Sequence, residues 1–194
     1  MKMVYAVILF LMFGACTTGN GFTEYQKLIN KEKASGKRYD SIFFDIRLGM
    51  TNQEFFTYCW QMNSKGIFTD GQSNTAVLYK LSNNELKHPA TMNFYPQMAN
   101  NVINKMEVTF QYEGWAPWNK NMFADSLLQD VYQLYANKWY KGGNPFIKIE
   151  DAKRGHLYVK VDGNRRIILA KKSDMAVKAD YTDLLNEQQA IQGK

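Results

Sequence analysis

The alternation of apolar and polar residues between Val102 and Tyr112 is the feature that most constrains the fold. The apolar positions are Met106, Val108, Phe110 and Tyr112, and the polar ones are Lys105, Glu107, Thr109 and Gln111. Because successive side chains of a strand point to opposite faces of a sheet, the segment predicts a strand that is buried on one side. Such strands are typical of antiparallel sheets with one solvated face.

Six further segments are predicted to be strands, and turn signals separate several of them. They span residues 75–81, 91–95, 146–150, 157–161, 165–171 and 175–181. Pro96 is expected to end the second of them, because proline removes a donor from the ladder. The pair Asp162-Gly163 predicts a two-residue hairpin, and residues 172–174 predict the next turn.

Two helices are predicted in the body of the chain. Thr51 and Glu54 have the spacing of a capping box, in which each side chain bonds the backbone amide of the other residue. The helix that follows has Phe55 and Cys59 on its apolar face and ends near Gly66. The second helix spans about residues 122–140 and ends at a pair of glycines.

This order of elements predicts an α+β fold. Each helix is followed by a run of strands, which favours helices packed on an antiparallel sheet over parallel βαβ units. The length suits one domain over residues 41–194. Residues 41–114 and 115–181 share an order of elements, so they could form two helix-plus-strand units in tandem. Residues 182–192 are predicted to form a C-terminal helical tail.

The first sixteen residues have the pattern of an export signal. Lys2 precedes an uncharged run over residues 3–13, which is about half of the roughly 20 residues that a bilayer span needs. Small residues then stand directly before Cys16, so residues 1–15 are predicted to be a signal peptide. The segment resembles the lipobox of bacterial lipoproteins, with Phe13 where that pattern usually has leucine. The alternative is an ordinary secretory signal with a chance cysteine.

The lipobox implies that Cys16 becomes the mature N-terminus and is diacylated. Two or three acyl chains would hold the protein on a membrane without crossing it, and Cys59 would remain as a single thiol. Thr17 rather than aspartate follows, which by the same resemblance implies the outer membrane and a periplasm-facing position. Residues 16–40 are polar and are predicted to be a lipidated tether. A short helix that begins with a capping box at Thr23 is the alternative.

The segment Ile46 to Thr51 (IRLGMT), followed by Glu54, carries a resemblance to known envelope proteins. It looks like the small bacterial modules of the BamE/SmpA type and the related β-lactamase-inhibitor-protein-like fold, which begin a helix with a similar phrase. The chain as a whole resembles a Bacteroidetes-type lipoprotein of this architecture. The resemblance covers about residues 46–112 and implies a module that binds a protein or assembles an envelope complex, with no catalytic residue.

The residues that could carry chemistry form no recognisable catalytic or metal-binding pattern. His88 and His156 lie in polar segments outside any triad motif, and two cysteines and two histidines are too few for the usual zinc clusters. Cys59 is interpreted as a small core residue. We therefore expect no cofactor and no enzyme activity, and a hydrolytic pair of carboxylates is the alternative. The carboxylates Asp125, Asp130, Glu150 and Asp151 are interpreted as solvated charges.

Three aromatic residues in predicted loops are candidates for binding a partner. Trp115 and Trp118 flank a proline, and Tyr95 precedes Pro96. Exposed aromatic side chains stack on sugars or anchor protein interfaces, so a glycan-binding lipoprotein is the alternative to a protein-binding one. The other interpretation is that these rings close the core, because tryptophan is usually well buried.

Charge also bears on the choice of partner. The chain has 24 Lys and Arg against 18 Asp and Glu, a net charge of +6, and residues 138–178 hold eleven basic and four acidic residues. This excess could favour an anionic envelope polymer, and a solvated sheet face is the alternative. The export signal excludes nucleic acid as a partner.

Overall fold

The computed structural model of the protein describes residues 20–71, 76–152 and 155–186. The predicted signal peptide and Cys16 lie outside these residues. The described helices are α1 (Asn20–Ala34), α2 (Asn52–Ser64) and α3 (Ala124–Leu134). The described strands are β1 (Ser41–Phe43), β2 (Ile46–Arg47), β3 (Thr69–Asp70), β4 (Val77–Leu81), β5 (Ala90–Ala99), β6 (Val102–Tyr112), β7 (Ile147–Asp151), β8 (Gly155–Asp162), β9 (Arg165–Lys171) and β10 (Ala176–Asp183).

Eight of these strands form one sheet in which every neighbouring pair is antiparallel. Their order is β3-β4-β5-β6-β10-β9-β8-β7, and β1 pairs with β2 in a small separate sheet. The predicted α+β class with an antiparallel sheet is therefore confirmed. Each half of the order is a meander of consecutive strands, and the two meanders meet where β6 pairs with β10.

Two buried clusters lie on opposite faces of the sheet. The larger one joins α2 and α3 to β5, β6, β9 and β10, and its members include Phe55, Phe94, Phe110, Val131 and Leu169. The smaller one joins α1 to β7, β8 and β9, and its members include Tyr25, Ile149, Val159 and Ala170. Because Leu169 and Ala170 are adjacent on β9, the two clusters must face opposite sides of the sheet.

The helix α1 covers only one end of its face of the sheet, where it contacts β7 and β8. On the same face, Ala170 pairs with Lys178, Lys178 with Thr109, and Thr109 with Asn93. This row leads away from α1 across β10, β6 and β5. The side chains of Lys178, Thr109 and Asn93 are only partly buried, so the face is polar and accessible at this end.

The strand β5 is longer than predicted and continues through Pro96 to Ala99. The expectation that Pro96 ends this strand is therefore wrong. Pairing between β4 and β5 stops at Val77 and Phe94, so from Tyr95 onward the described neighbour of β5 is β6 alone. Proline is tolerated at such an edge, because the open side of the strand needs no backbone donor.

The predictions for the second half hold with shifts of a few residues. The second helix is confirmed as α3, followed directly by a π-helical turn at Tyr135–Trp139. The predicted hairpin is confirmed, but Asp162 pairs with Arg165, so the two loop residues are Gly163 and Asn164. The first two residues of the predicted helical tail, Thr182 and Asp183, belong to β10. Residues 187–194 lie outside the described residues.

Residues 20–34 form the helix that was the alternative to a flexible segment, and it starts three residues before Thr23. Gly36 follows its end with a φ of 62°, a left-handed conformation that glycine adopts without a steric cost. At the other end, a Cβ added to Gly21 would stand 2.7 Å from the carbonyl oxygen of Lys148. The absence of a side chain at Gly21 therefore allows the first turn of α1 to lie directly against β7.

The predicted capping box at the start of α2 is confirmed. The Glu54 amide donates to Thr51 Oγ1 at 3.2 Å, and the Thr51 amide donates to Glu54 Oε2 at 2.8 Å. The hydrogen bond from the Thr51 amide, followed by that from the Thr51 hydroxyl, lowers the pKa of the Glu54 carboxyl. The cap fixes where α2 begins, and with it which residues of α2 enter the larger buried cluster.

Thr51→Ala is expected to lower the free energy of unfolding by about 0.5–2 kcal/mol, because the Glu54 amide loses its acceptor. Thr57→Ala removes the same atoms from an exposed position within α2 and is the control. It is expected to be neutral or slightly stabilising, because alanine is the better helix former. Urea unfolding followed by circular dichroism measures both, and equal effects would show that the cap contributes nothing.

Candidate functional site

An open groove of about 1260 Å³ is lined by residues of α2, by β3 and the start of β4, and by β5 and β6, and we call it the α2–β5 groove. The polar side chains of β5 and β6 that line it, which we call its floor, lie on the face of the sheet opposite to the buried cluster that contains Phe55 and Cys59 of α2. The residues that line it include Phe56, Trp60, Asn93, Tyr95, Thr109 and Gln111.

Three aromatic side chains stand exposed along the groove. Trp60 is 74% exposed, and Phe56 and Tyr95 are each about half exposed. Phe56 and Trp60 are four residues apart, so they lie on one side of α2. The residues just before them, Phe55 and Cys59, are the buried ones of this helix. The same helical spacing therefore builds a buried stripe and, beside it, an exposed aromatic stripe.

The floor of the groove is built from cross-strand pairs of polar residues. Asn93 lies opposite Thr109, and Tyr95 lies opposite Glu107, so these side chains are direct neighbours on one face. Lys178 of β10 continues the row, with its Nζ 2.9 Å from a Glu107 carboxylate oxygen. The floor thus offers hydrogen-bond donors and acceptors side by side.

A carboxylate pair holds Lys178 in place at the edge of this floor. Its Nζ also lies 3.0 Å from Asp180 Oδ1. Burial alone would lower the pKa of Lys178, but the Glu107 and Asp180 carboxylates outweigh it and raise the pKa. Burial raises the pKa of Asp180, against the opposing effect of the Lys178 ammonium. The three groups therefore form a fixed charged cluster rather than a free acid or base.

Cys59 lines the groove from α2 and belongs to the larger buried cluster. The interpretation as a small core residue is confirmed. Burial raises the pKa of its thiol to about 12. Since the thiolate is the reactive form of cysteine, the thiol is a poor nucleophile at neutral pH.

The structure separates the three aromatic residues singled out in the sequence. Tyr95 lines the α2–β5 groove, and neither Trp115 nor Trp118 is among the lining residues. Trp118 is 85% exposed. Trp115 is half-buried, its ring centroid lies 5.9 Å from that of Phe123, and its buried Nε1 has no hydrogen-bond partner among the described residues. The two tryptophans therefore do not share one environment.

Phe56 and Trp60 are the site residues that the sequence reasoning missed. The sequence contains a signal for them, because they are two aromatic residues four positions apart and each directly follows a residue of the apolar stripe of α2. Such a pair lies outside the core-facing stripe of a helix. Two aromatic residues directly beside the apolar stripe of a helix are the pattern that points to this groove.

The candidate catalytic residues have partners that account for their positions. Asp130 is buried and accepts a hydrogen bond from Tyr112 at 2.7 Å, so its interpretation as a solvated charge is wrong. Asp125 pairs with Lys171 at 2.8 Å, and Glu150 pairs with His156. His88 lies edge-on to the ring of Tyr112. Across residues 20–71, 76–152 and 155–186, no group of three or more His, Cys, Asp or Glu residues could hold a metal ion.

No protein family model matches the chain, and no curated protein or solved structure matches it either. Within the described part of the chain, no helix has the length and apolar character needed to cross a bilayer.

Proposed function

We propose that this protein is a lipid-anchored, non-enzymatic module of the bacterial cell envelope that binds a protein partner in the α2–β5 groove. The observation that carries the proposal is the set of three exposed aromatic side chains around a polar strand floor. Large aromatic residues contribute most of the binding energy in protein interfaces. The polar floor supplies the hydrogen bonds that orient a partner.

The charges of the groove suit a polypeptide better than a uniformly anionic polymer. Asp70, Glu107 and Lys172 all line it, so both signs are present and a polyanion would meet two carboxylates. Lys160 and Arg165, two of the basic residues between positions 138 and 178, are buried in ion pairs with Asp162. These two charges therefore add little to a positive surface field that would attract an anionic polymer.

We also propose that the body consists of two tandem units, each a helix packed on a four-stranded meander. The first unit is α2 with β3–β6, and the second is α3 with β7–β10. The strand order and the central pairing of β6 with β10 support this division. A tandem arrangement of this kind fits the resemblance to the β-lactamase-inhibitor-protein-like fold and gives one broad sheet on which a protein can dock.

The membrane anchor in this proposal is Cys16, diacylated after removal of residues 1–15. The small residues before Cys16 and the short apolar run support the anchor. The absence of aspartate at position 17 supports the outer membrane, with the body in the periplasm. No nucleic acid or cofactor has a role in this proposal.

A photo-crosslinking residue in the groove tests the protein-binding proposal. We expect benzoylphenylalanine in place of Trp60, in the full-length lipoprotein in intact cells, to form an adduct with one protein. The reason is that position 60 carries the most exposed ring of the groove. Tyr95→Ala in the same chain removes a second aromatic contact and is expected to reduce the yield of the adduct several-fold. The same probe at position 118, which is exposed but outside the groove, is the matched control.

Two outcomes would contradict this proposal. One is no protein adduct from position 60, and the other is the same adduct from positions 60 and 118. A polysaccharide adduct from position 118 would instead support the second candidate function, a glycan-binding lipoprotein. The exposure of Trp118 is the observation that favours that alternative, because an open indole ring can stack on a sugar.

A further inference from the structure

We propose that the edge of the body formed by α1 and β7 lies against the phospholipid bilayer that carries the anchor, with the α2–β5 groove held at the far end of the sheet. This inference rests on the proposed lipidation of Cys16. It goes beyond that proposal because it assigns a membrane-contacting surface and an orientation to the folded body.

Only a short stretch of chain separates the proposed anchor from the folded body. The first residue of α1 is Asn20, four residues after Cys16. A fully extended chain spans at most about 3.6 Å per residue, so whatever its conformation this stretch reaches at most about 14 Å. The start of α1 must therefore stay within this distance of the acylated residue.

The helix α1 is fixed to the body along its length. Its first turn lies against the Lys148 backbone at Gly21, and Tyr25, Leu28 and Ile29 pack into the smaller buried cluster. Near its other end, the Glu32 carboxylate accepts a hydrogen bond from the Gly163 amide at 2.8 Å. A helix held in this way is not a flexible linker. The anchor therefore constrains the position of the whole body relative to the membrane, and not that of α1 alone.

The exposed side chains on α1 include an aromatic ring close to the proposed anchor. Phe22 is 58% exposed next to the point where the chain enters the body. Lys27 and Lys31 are exposed on another side of the helix, beside the exposed Glu24. An aromatic ring near the anchor can enter the headgroup region of a bilayer, and lysines can interact with anionic headgroups. The exposed ring of Phe22 at the anchored end of α1 therefore suits a lipid surface as the neighbour of this edge.

The α2–β5 groove lies far from this edge along the sheet. Five strand spacings separate β7 from β5 in the sheet order. At about 4.8 Å per spacing, β5 lies roughly 24 Å from β7 along the sheet. A partner of the groove would therefore be met at the end of the body that is remote from the anchored edge, but still close to the same membrane.

Fluorescent labels on the full-length lipoprotein test this orientation. The lipoprotein, in a Cys59→Ala background, is labelled with NBD at Phe22→Cys or at Trp60→Cys. It is then reconstituted into vesicles of phosphatidylethanolamine and phosphatidylglycerol that contain a nitroxide headgroup lipid. We expect a large loss of fluorescence at position 22 and little loss at position 60. Thr23→Cys is exposed on the same turn and is a second probe in case Phe22→Cys misfolds.

Flotation of the vesicles separates failure of the anchor from failure of the orientation. If the protein floats with the vesicles but the labels at positions 22 and 23 are not quenched, the orientation is wrong and the lipid anchor stands. If position 60 is quenched as strongly as position 22, the orientation is likewise wrong. If the protein does not float, the proposed anchor is wrong and the orientation is refuted with it.

Discussion

Asp162→Ala is expected to lower the free energy of unfolding by about 3–5 kcal/mol, because it leaves two buried cations without their carboxylate. The side chain of Asp162 is 4% exposed, and that of Lys160 is 3% exposed. Asp162 Oδ2 lies 3.4 Å from Lys160 Nζ and 3.1 Å from Arg165 Nη2. Burial lowers the pKa of Lys160, and Asp162 opposes that shift. Loss of the carboxylate would therefore remove the attraction that helps to keep this buried lysine charged.

Asp162 also organises the backbone that follows the π-helical turn. Its Oδ1 accepts a hydrogen bond from the Asn144 amide at 2.9 Å. Lys160 donates to the carbonyl oxygens of Gly142 and Asn144. The same carboxylate therefore neutralises two cations and holds the loop that leads into β7, which is why the expected loss is larger than for an isolated pair.

The matched control for Asp162→Ala is Asp125→Ala. Asp125 also pairs with a lysine, Lys171, at 2.8 Å, but its side chain is 75% exposed. Exposed pairs of this kind contribute about 0–1 kcal/mol. Urea unfolding at neutral pH measures both variants. If Asp162→Ala costs no more than Asp125→Ala, the buried cluster is not stabilised by its carboxylate.

Features that depend on neighbouring residues were predicted well from the sequence. The capping box at Thr51 and the alternation in β6 each lie within one element, and the structure has both as expected. The end of β5 was predicted wrongly at Pro96, because whether proline breaks a strand depends on whether a neighbour lies on its donor side. That neighbour is set by where β4 stops pairing, which a local pattern does not contain.

The groove and the buried ion cluster could not be predicted, because each joins residues that are distant in the sequence. Tyr95 is a candidate from the sequence, but Phe56 and Trp60, which line the same groove, are on α2. Their proximity depends on how α2 and β5 pack in three dimensions. Similarly, Lys160 and Arg165 follow an alternating strand pattern that is typical of a solvated face. Their burial depends on segments distant in sequence, because Lys160 donates to the carbonyl oxygens of Gly142 and Asn144 and Arg165 donates to that of Ser41.

Gly163→Ala is expected to lower the free energy of unfolding by about 2–5 kcal/mol for two additive reasons. Gly163 has a φ of 53°, a left-handed conformation that an L side chain adopts at a cost of about 1–2 kcal/mol. The added Cβ would also overlap the carbonyl oxygen of Lys37 and stand 2.9 Å from Tyr39 Cδ2. Relief requires movement of the backbone that follows α1, which costs about 1–3 kcal/mol more.

Gly36→Ala separates these two causes. Gly36 also has a left-handed backbone, with a φ of 62°, but a Cβ added there would meet no atom within 4 Å. It is expected to cost only the backbone part, about 1–2 kcal/mol. Urea unfolding gives the difference between the two variants, which measures how firmly the segment from Lys37 to Tyr39 lies on the β8–β9 turn. If the difference is zero, the segment from Lys37 to Tyr39 moves away from the added methyl group without a measurable cost.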